Sequence, residues 1–190
     1  MSTVTRYTRT AMALHWLIAL FMLINVVLVW IVDYVGESHE RTVVDLHKSI
    51  GITVLGLALL RVLWRYANPP PAFPVEFSIR EQRAAHWAHV GLYLLMLGLP
   101  LTGWLHDSAW KDAASHPMAL FNAIPWPRIS WVMQTEPVTK EWLHHWFGKA
   151  HEWLAYGLYG LFLLHVAGAL KHQFIDKTPE LQRMLPGKNS

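Results

Sequence analysis

Four long apolar stretches are set into a chain whose remaining segments are polar or proline-rich. The first, "TAMALHWLIALFMLINVVLVWIV", runs from Thr10 to Val32, and a helix needs about 20 such residues to cross a bilayer core. It lacks a convincing small-residue cleavage site in a polar stretch after it, so it is read as a retained helix and not as a signal peptide. The second stretch covers 43–65, with a polar first turn and a strongly apolar run from Ile50 to Leu60. The third covers 84–105, where Pro100 is expected to kink the helix near its far end. The fourth, 144–172, is long for a simple crossing and is expected to tilt or to project beyond the membrane. Strand-like alternation is absent. The predicted fold is all-α: one integral membrane domain over 1–190, a four-helix bundle with spans at 10–32, 43–65, 84–105 and 144–172.

The connections are equally uneven. "ANPPPAFPVEFSIREQR" joins the second and third spans, and its prolines impose a stiff, extended link. The longest connection, 106–143, holds the aromatic and proline-rich "NAIPWPRISW" and is expected to fold back onto the membrane surface with its tryptophans at headgroup level. Basic residues set the direction. Arg6, Arg9, Arg61, Arg65, Arg80, Arg83, Lys171, Lys177, Arg183 and Lys188 fall on one side, ten of the 16 in the chain. The short loop opposite, "DYVGESHERTVVD", is net acidic. Both termini are therefore expected in the cytoplasm, with the long loop in the opposite compartment.

Composition narrows the chemistry. Apolar residues make up 53% of the chain and charged ones 15%, well under the roughly 25% usual in soluble domains. The net charge of +3 lacks the dense basic stripe of a nucleic-acid binder. Twelve histidines stand against no cysteine, which excludes disulfides, thiolate metal sites and the attachment motif of covalent haem.

The histidines carry the candidate chemistry. His151 and His165 lie 14 residues apart, about 21 Å along a helix and about 40° short of whole turns, so they look out from one side at two depths. Leu158 sits midway between them. The assigned orientation places His47 and His151 in the outer half and His15 and His165 in the inner half. Each pair offers a haem iron the two neutral imidazoles that six-coordination requires. Gly51, Gly148, Gly157 and Gly160 leave room near these positions, although small residues also serve plain helix packing. His86 or His89 competes with His165 for the inner ligand by depth. Ionisable groups inside a membrane point to function, whereas His39, His106, His116, His144 and His145 fall in loops or at helix ends. Zinc would want three or four close ligands, which the two-by-two pattern serves poorly. Arg9 and Arg61 are candidate counterions to the cofactor. His172, with His86, His89 or Arg65, is a candidate quinone and proton site.

"RYTRTAMALHW", "DLHKSIGI", "KAHEWLAYGLYGLFLLHVAGALKH" and "LQRMLPGK" resemble the bacterial cytochrome b561 family, over nearly the whole chain. The resemblance implies a bundle enclosing two b-type haems, with His15, His47, His151 and His165 as axial ligands in the pairs His15/His165 and His47/His151. It also implies electron transfer between the membrane face and the quinone pool, either as a superoxide:ubiquinone oxidoreductase or as the haem-bearing anchor and relay subunit of a dehydrogenase or hydrogenase. A surface that collects superoxide should be positive. Here Lys48, Lys111, Arg128, Lys140 and Lys149 are interspersed with Asp107, Asp112, Glu136 and Glu141. The expected partners are membrane lipid, ubiquinone, superoxide and a redox subunit.

Overall fold

The computed structural model describes residues 6–187; Lys188, counted above among the basic residues, lies outside them. Four helices are long and apolar enough to cross a membrane. Helix α1 covers Arg9–Ile31 and ends in a 3-10 turn, Val32–Tyr34. Helices α2, Glu37–Ala67, and α3, Ile79–Ser108, follow. A two-stranded antiparallel hairpin, β1 Ala119–Leu120 and β2 Ile124–Pro125, and the short helix α4, Ser130–Met133, occupy the long connection. Helix α5 covers Pro137–Leu170 and runs on into a π-helical turn, Lys171–Ile175, before the short α6, Glu180–Arg183.

The helices differ from the sequence reading mainly at their ends. Helix α2 starts at Glu37, so most of the stretch read as an acidic loop is helical. Gly36, at φ +74°, turns the chain into it, and Glu37 and Glu40 sit where the helix dipole favours negative charge. Helix α5 starts at Pro137, where a missing N–H costs nothing. Helix α3 opens with a Ser78–Glu81 capping box and continues past Pro100 as one helix. There the Thr102 hydroxyl donates to the Gly98 carbonyl at 2.8 Å.

Packing leaves one side of the bundle loose. Helix α1 packs on α2, α2 on α3 and α3 on α5, while α1 and α5 make no comparable backbone contact. The core between the first three helices holds Ile18, Leu28, Ile50, Val54, Ala58 and Met96. Leucines on the outer surface, such as Leu20, Leu63, Leu94 and Leu163, stay exposed, as a membrane-facing surface requires.

Each end of the bundle is fastened by polar contacts. At the termini end Arg6 donates to the Gln182 and Leu185 carbonyls at 2.9 and 2.7 Å, and Trp16 to Met184 at 2.7 Å. The buried Arg183 reaches the Pro71 and Ala72 carbonyls of the proline link at 3.2 and 2.6 Å. Burial pushes the Tyr7 hydroxyl above its ordinary pKa. At the loop end the connection is folded onto α2 and α3. Trp104 of α3 and Trp126 of the connection pack with Ile52, Met118 and Leu120, whereas Trp131 is exposed. Ser49 accepts from the Phe121 N–H at 2.9 Å and Ser108 from the Ile129 N–H at 3.0 Å. Arg128 pairs with the buried Asp107 at 2.7 Å and also donates to the Ala113 and His116 carbonyls. Arg128→Ala would leave Asp107 to Lys48 alone and release the Ala113 and His116 carbonyls, a loss of about 1.5–3 kcal/mol for a hydrogen bond to a charged group. Limited proteolysis is expected to cut the variant within 109–129 well before the parent protein.

Candidate functional site

The structure brings the four histidines of the predicted pairs together two by two. The His47 and His151 rings, from α2 and α5, have centroids 6.1 Å apart with planes at 79°. The His15 and His165 rings, from α1 and α5, have centroids 6.3 Å apart with planes at 75°. A ligand nitrogen lies about 1.1 Å from its ring centre, given ring bonds of about 1.33 Å, and takes a first-row metal at about 2.0 Å. Two rings on opposite sides of one metal therefore have centroids about 6.2 Å apart. Both observed separations match that value, so the ring spacing of each pair is that of two imidazoles sharing one metal.

Hydrogen bonds orient the loop-end pair. His151 Nδ1 donates to the Leu99 carbonyl at 2.9 Å, with the Thr102 hydroxyl at 3.2 Å. His47 Nδ1 faces the Asn25 carbonyl at 3.4 Å. A carbonyl only accepts, so Nδ1 carries the proton and Nε2 keeps its lone pair, as in metal-bound imidazoles. Around this pair lies a cavity of about 970 Å³ whose walls include Asn25, Gly51, Gly103, Gly148 and Leu158. The side-chain oxygen of Asn25 is buried there without a partner, an acceptor still in want of a donor.

The pair at the termini end is arranged differently. Arg61 donates to His15 Nδ1 at 2.8 Å and to the Tyr93 hydroxyl at 3.1 Å. Arg65 lies over the Tyr93 ring at 6.0 Å, and both arginines line a small cavity with Tyr7, Trp64 and Asn68. His89 is a third imidazole here, 5.4 Å from His165. His86 stacks edge-on with Trp87, and Arg9 is exposed and joins neither cluster. His172 lies in the π-helical turn, stacked on Phe77 at 4.0 Å, with Nδ1 2.7 Å from Asp176. Its neighbour Lys171 holds the Asp176 carboxyl below its usual pKa range through a 2.7 Å hydrogen bond.

Two arrangements escaped the sequence reading. His106 and His144 stack with centroids 3.9 Å apart, each Nδ1 donating to the other's backbone carbonyl at 2.8 and 3.0 Å. They are 38 residues apart on different helices, so only their matched distance from the loop end would have paired them. Glu81, His172 and Asp176 bring ligand atoms within 4.8 Å of one another, but Lys171 Nζ already lies on both carboxylates at 2.8 and 2.7 Å.

The glycines sort by what surrounds them. A Cβ at Gly148 would stand 2.9 Å from the His106 ring, and one at Gly103 3.1 Å from His151. At Gly157 it would make ordinary contact with Leu95, and at Gly160 it would meet nothing within 4 Å. Gly148→Ala is expected to destabilise the protein by about 1–3 kcal/mol through overpacking, while Gly160→Ala, in open space inside α5, is expected to raise its melting temperature slightly. Thermal unfolding of the two variants in the same detergent checks the contrast.

A family model described as prokaryotic cytochrome b561 matches residues 6–187. The chain is 34% identical to cytochrome b561 homolog 2 of Escherichia coli (strain K12) over 193 residues, which span 100% of this chain and 95% of that protein. It is 25% identical to the probable superoxide oxidase CybB of Yersinia pestis over 183 residues, 96% of this chain and 97% of the relative. A second Escherichia coli (strain K12) protein, cytochrome b561 homolog 1, is 25% identical over 95% of this chain and 97% of its own length.

Proposed function

The chain belongs to the prokaryotic cytochrome b561 family, and from that premise we propose that it carries electrons through the bacterial inner membrane between two b-type haems and a ubiquinone at the termini end. Membrane electron transfer with b-type haem is the family's business; the two-haem count, the ligands, the orientation and the quinone are our reading. The observation that carries it is the pair of ring separations, 6.1 and 6.3 Å, at two depths of one bundle.

Bound b-type haem supplies a one-electron couple, its iron alternating between ferric and ferrous. The protein's part is to hold and tune it. His47 and His151 would bind one iron through Nε2, with ring orientation set by the Asn25 and Leu99 carbonyls. His15 and His165 would bind the other. Because Arg61 donates to His15 Nδ1, that ring would have to give up its Nε2 proton or turn away from Arg61 to offer a lone pair, and the guanidinium beside it adds positive charge that favours an added electron. Leu158, the buried residue of α5, keeps apolar bulk between the two levels. Quinone reduction also consumes protons, and His172, bonded to Asp176 and stacked on Phe77, is positioned to pass one. Adding a water-soluble ubiquinol to the oxidised protein is expected to reduce its haem; a spectrum left unchanged would contradict the quinone assignment.

Two donors suit this framework. Superoxide is the one suggested by the name of the Yersinia pestis relative. The second reading, an anchor and relay fed by a dehydrogenase or hydrogenase subunit, is favoured by the charge at the loop end. Residues 33–48 and 107–152 carry nine acidic against six basic side chains, a field that repels an anion from afar. Stopped-flow mixing with superoxide separates them. Fast haem reduction by superoxide with no partner protein present supports the oxidase. Reduction only with a co-purifying dehydrogenase supports the relay.

A further inference from the structure

Resting on that two-haem reading, we propose that Lys48 is the cationic partner of a haem carboxylate at the loop end of the bundle. The argument begins with a row of five charges. Arg41 pairs with Asp45 at 3.0 Å, Asp45 with Lys48 at 3.2 Å, Lys48 with Asp107 at 2.7 Å, and Asp107 with Arg128 at 2.7 Å. Three are positive and two negative. Arg41 answers Asp45 from one end, and Arg128 answers Asp107 from the other while spending a further donor on the connection's carbonyls. The positive charge left over falls on Lys48, in the middle of the row.

Its surroundings make that surplus consequential. Lys48 follows His47 directly and lines the same cavity. Its side chain is 19% exposed, against 45% and 46% for the ion-paired Lys149 and Lys171. An ammonium withdrawn from water needs its donors satisfied. Of its three N–H groups, Asp45 and Asp107 account for two. Apart from Lys48, Arg41 is the cation among the cavity-lining residues, whose acids are Glu37, Glu40, Asp107 and Glu152. A b-type haem brings two carboxylates of its own, and in a wall this acidic Lys48 is the group placed to receive one.

The test is a potentiometric titration of purified, haem-loaded protein carrying Lys48→Gln or Lys48→Arg. Removing a cation beside the loop-end haem makes its reduction less favourable. Lys48→Gln is expected to lower one of two midpoints by about a tenfold change in the reduction equilibrium, about 59 mV for one electron. The affected transition is the one missing from His151→Ala, and Lys48→Arg is expected to restore most of the shift. Loss of that haem in Lys48→Gln but not in Lys48→Arg supports the proposal equally. Unmoved midpoints in Lys48→Gln overturn it, as does haem loss in both variants. Unmoved midpoints with slower reduction by dithionite, an anionic donor, would assign Lys48 to an anion from solution instead. Fewer than two transitions in the parent protein would sink the two-haem reading itself, and the proposal with it.

Discussion

His151→Ala is expected to leave the purified protein with half of its haem and to erase one of its two redox transitions. The ring it removes is one of a pair whose 6.1 Å separation matches two imidazoles on one iron, and its Nδ1 is held by the Leu99 carbonyl. His106 and His144 line the same cavity, but they are stacked on each other at 3.9 Å and bonded to each other's backbone, so turning either ring toward His47 would break that pair. Six-coordination therefore fails at this level while the pair near the termini is untouched. Haem content per chain, measured as the pyridine complex, is expected to fall from two to one. Retention of both haems would show that His151 is not a ligand.

His165→Ala is expected to remove the other haem with an equal loss, and the double variant with His151→Ala should be colourless. The contest here is with His89, whose ring lies 5.4 Å from His165. That distance is short of the roughly 6.2 Å that two rings across one metal require, whereas His15 stands at 6.3 Å. His89→Ala is thus expected to keep both haems, and His39→Ala and His116→Ala to keep the whole absorption spectrum. Loss of a haem in His89→Ala, with retention in His165→Ala, would move the ligand to α3.

Much of this arrangement could be read along the chain, for physical reasons that also mark where the reading stops. A 14-residue spacing on one apolar helix puts His151 and His165 on one side at two depths, and helix direction then matches them to His47 and His15. The membrane supplies the ruler. Helix ends outside the apolar core have none: Glu37–Thr42 is polar, so its helicity shows only when Gly36 and the acidic first turn are seen together. Longer-range pairings are less legible still. Asp107 meets both Lys48 and Arg128, residues far apart in the chain, because the connection folds back as a hairpin. Trp126 of that segment packs against Ile52, Met118 and Leu120, a contact that exists only once the hairpin has folded back. The sequence places Arg61 among the candidate counterions to the cofactor, while its hydrogen bond to His15 depends on the α1–α2 contact.

The most direct measurement is the haem stoichiometry of the full-length protein, expressed with ample haem and purified without added cofactor. Two non-covalent protohaems per polypeptide, reducible and with b-type α bands, are the predicted result. A colourless protein, or one that binds a single haem at saturation, would contradict the account.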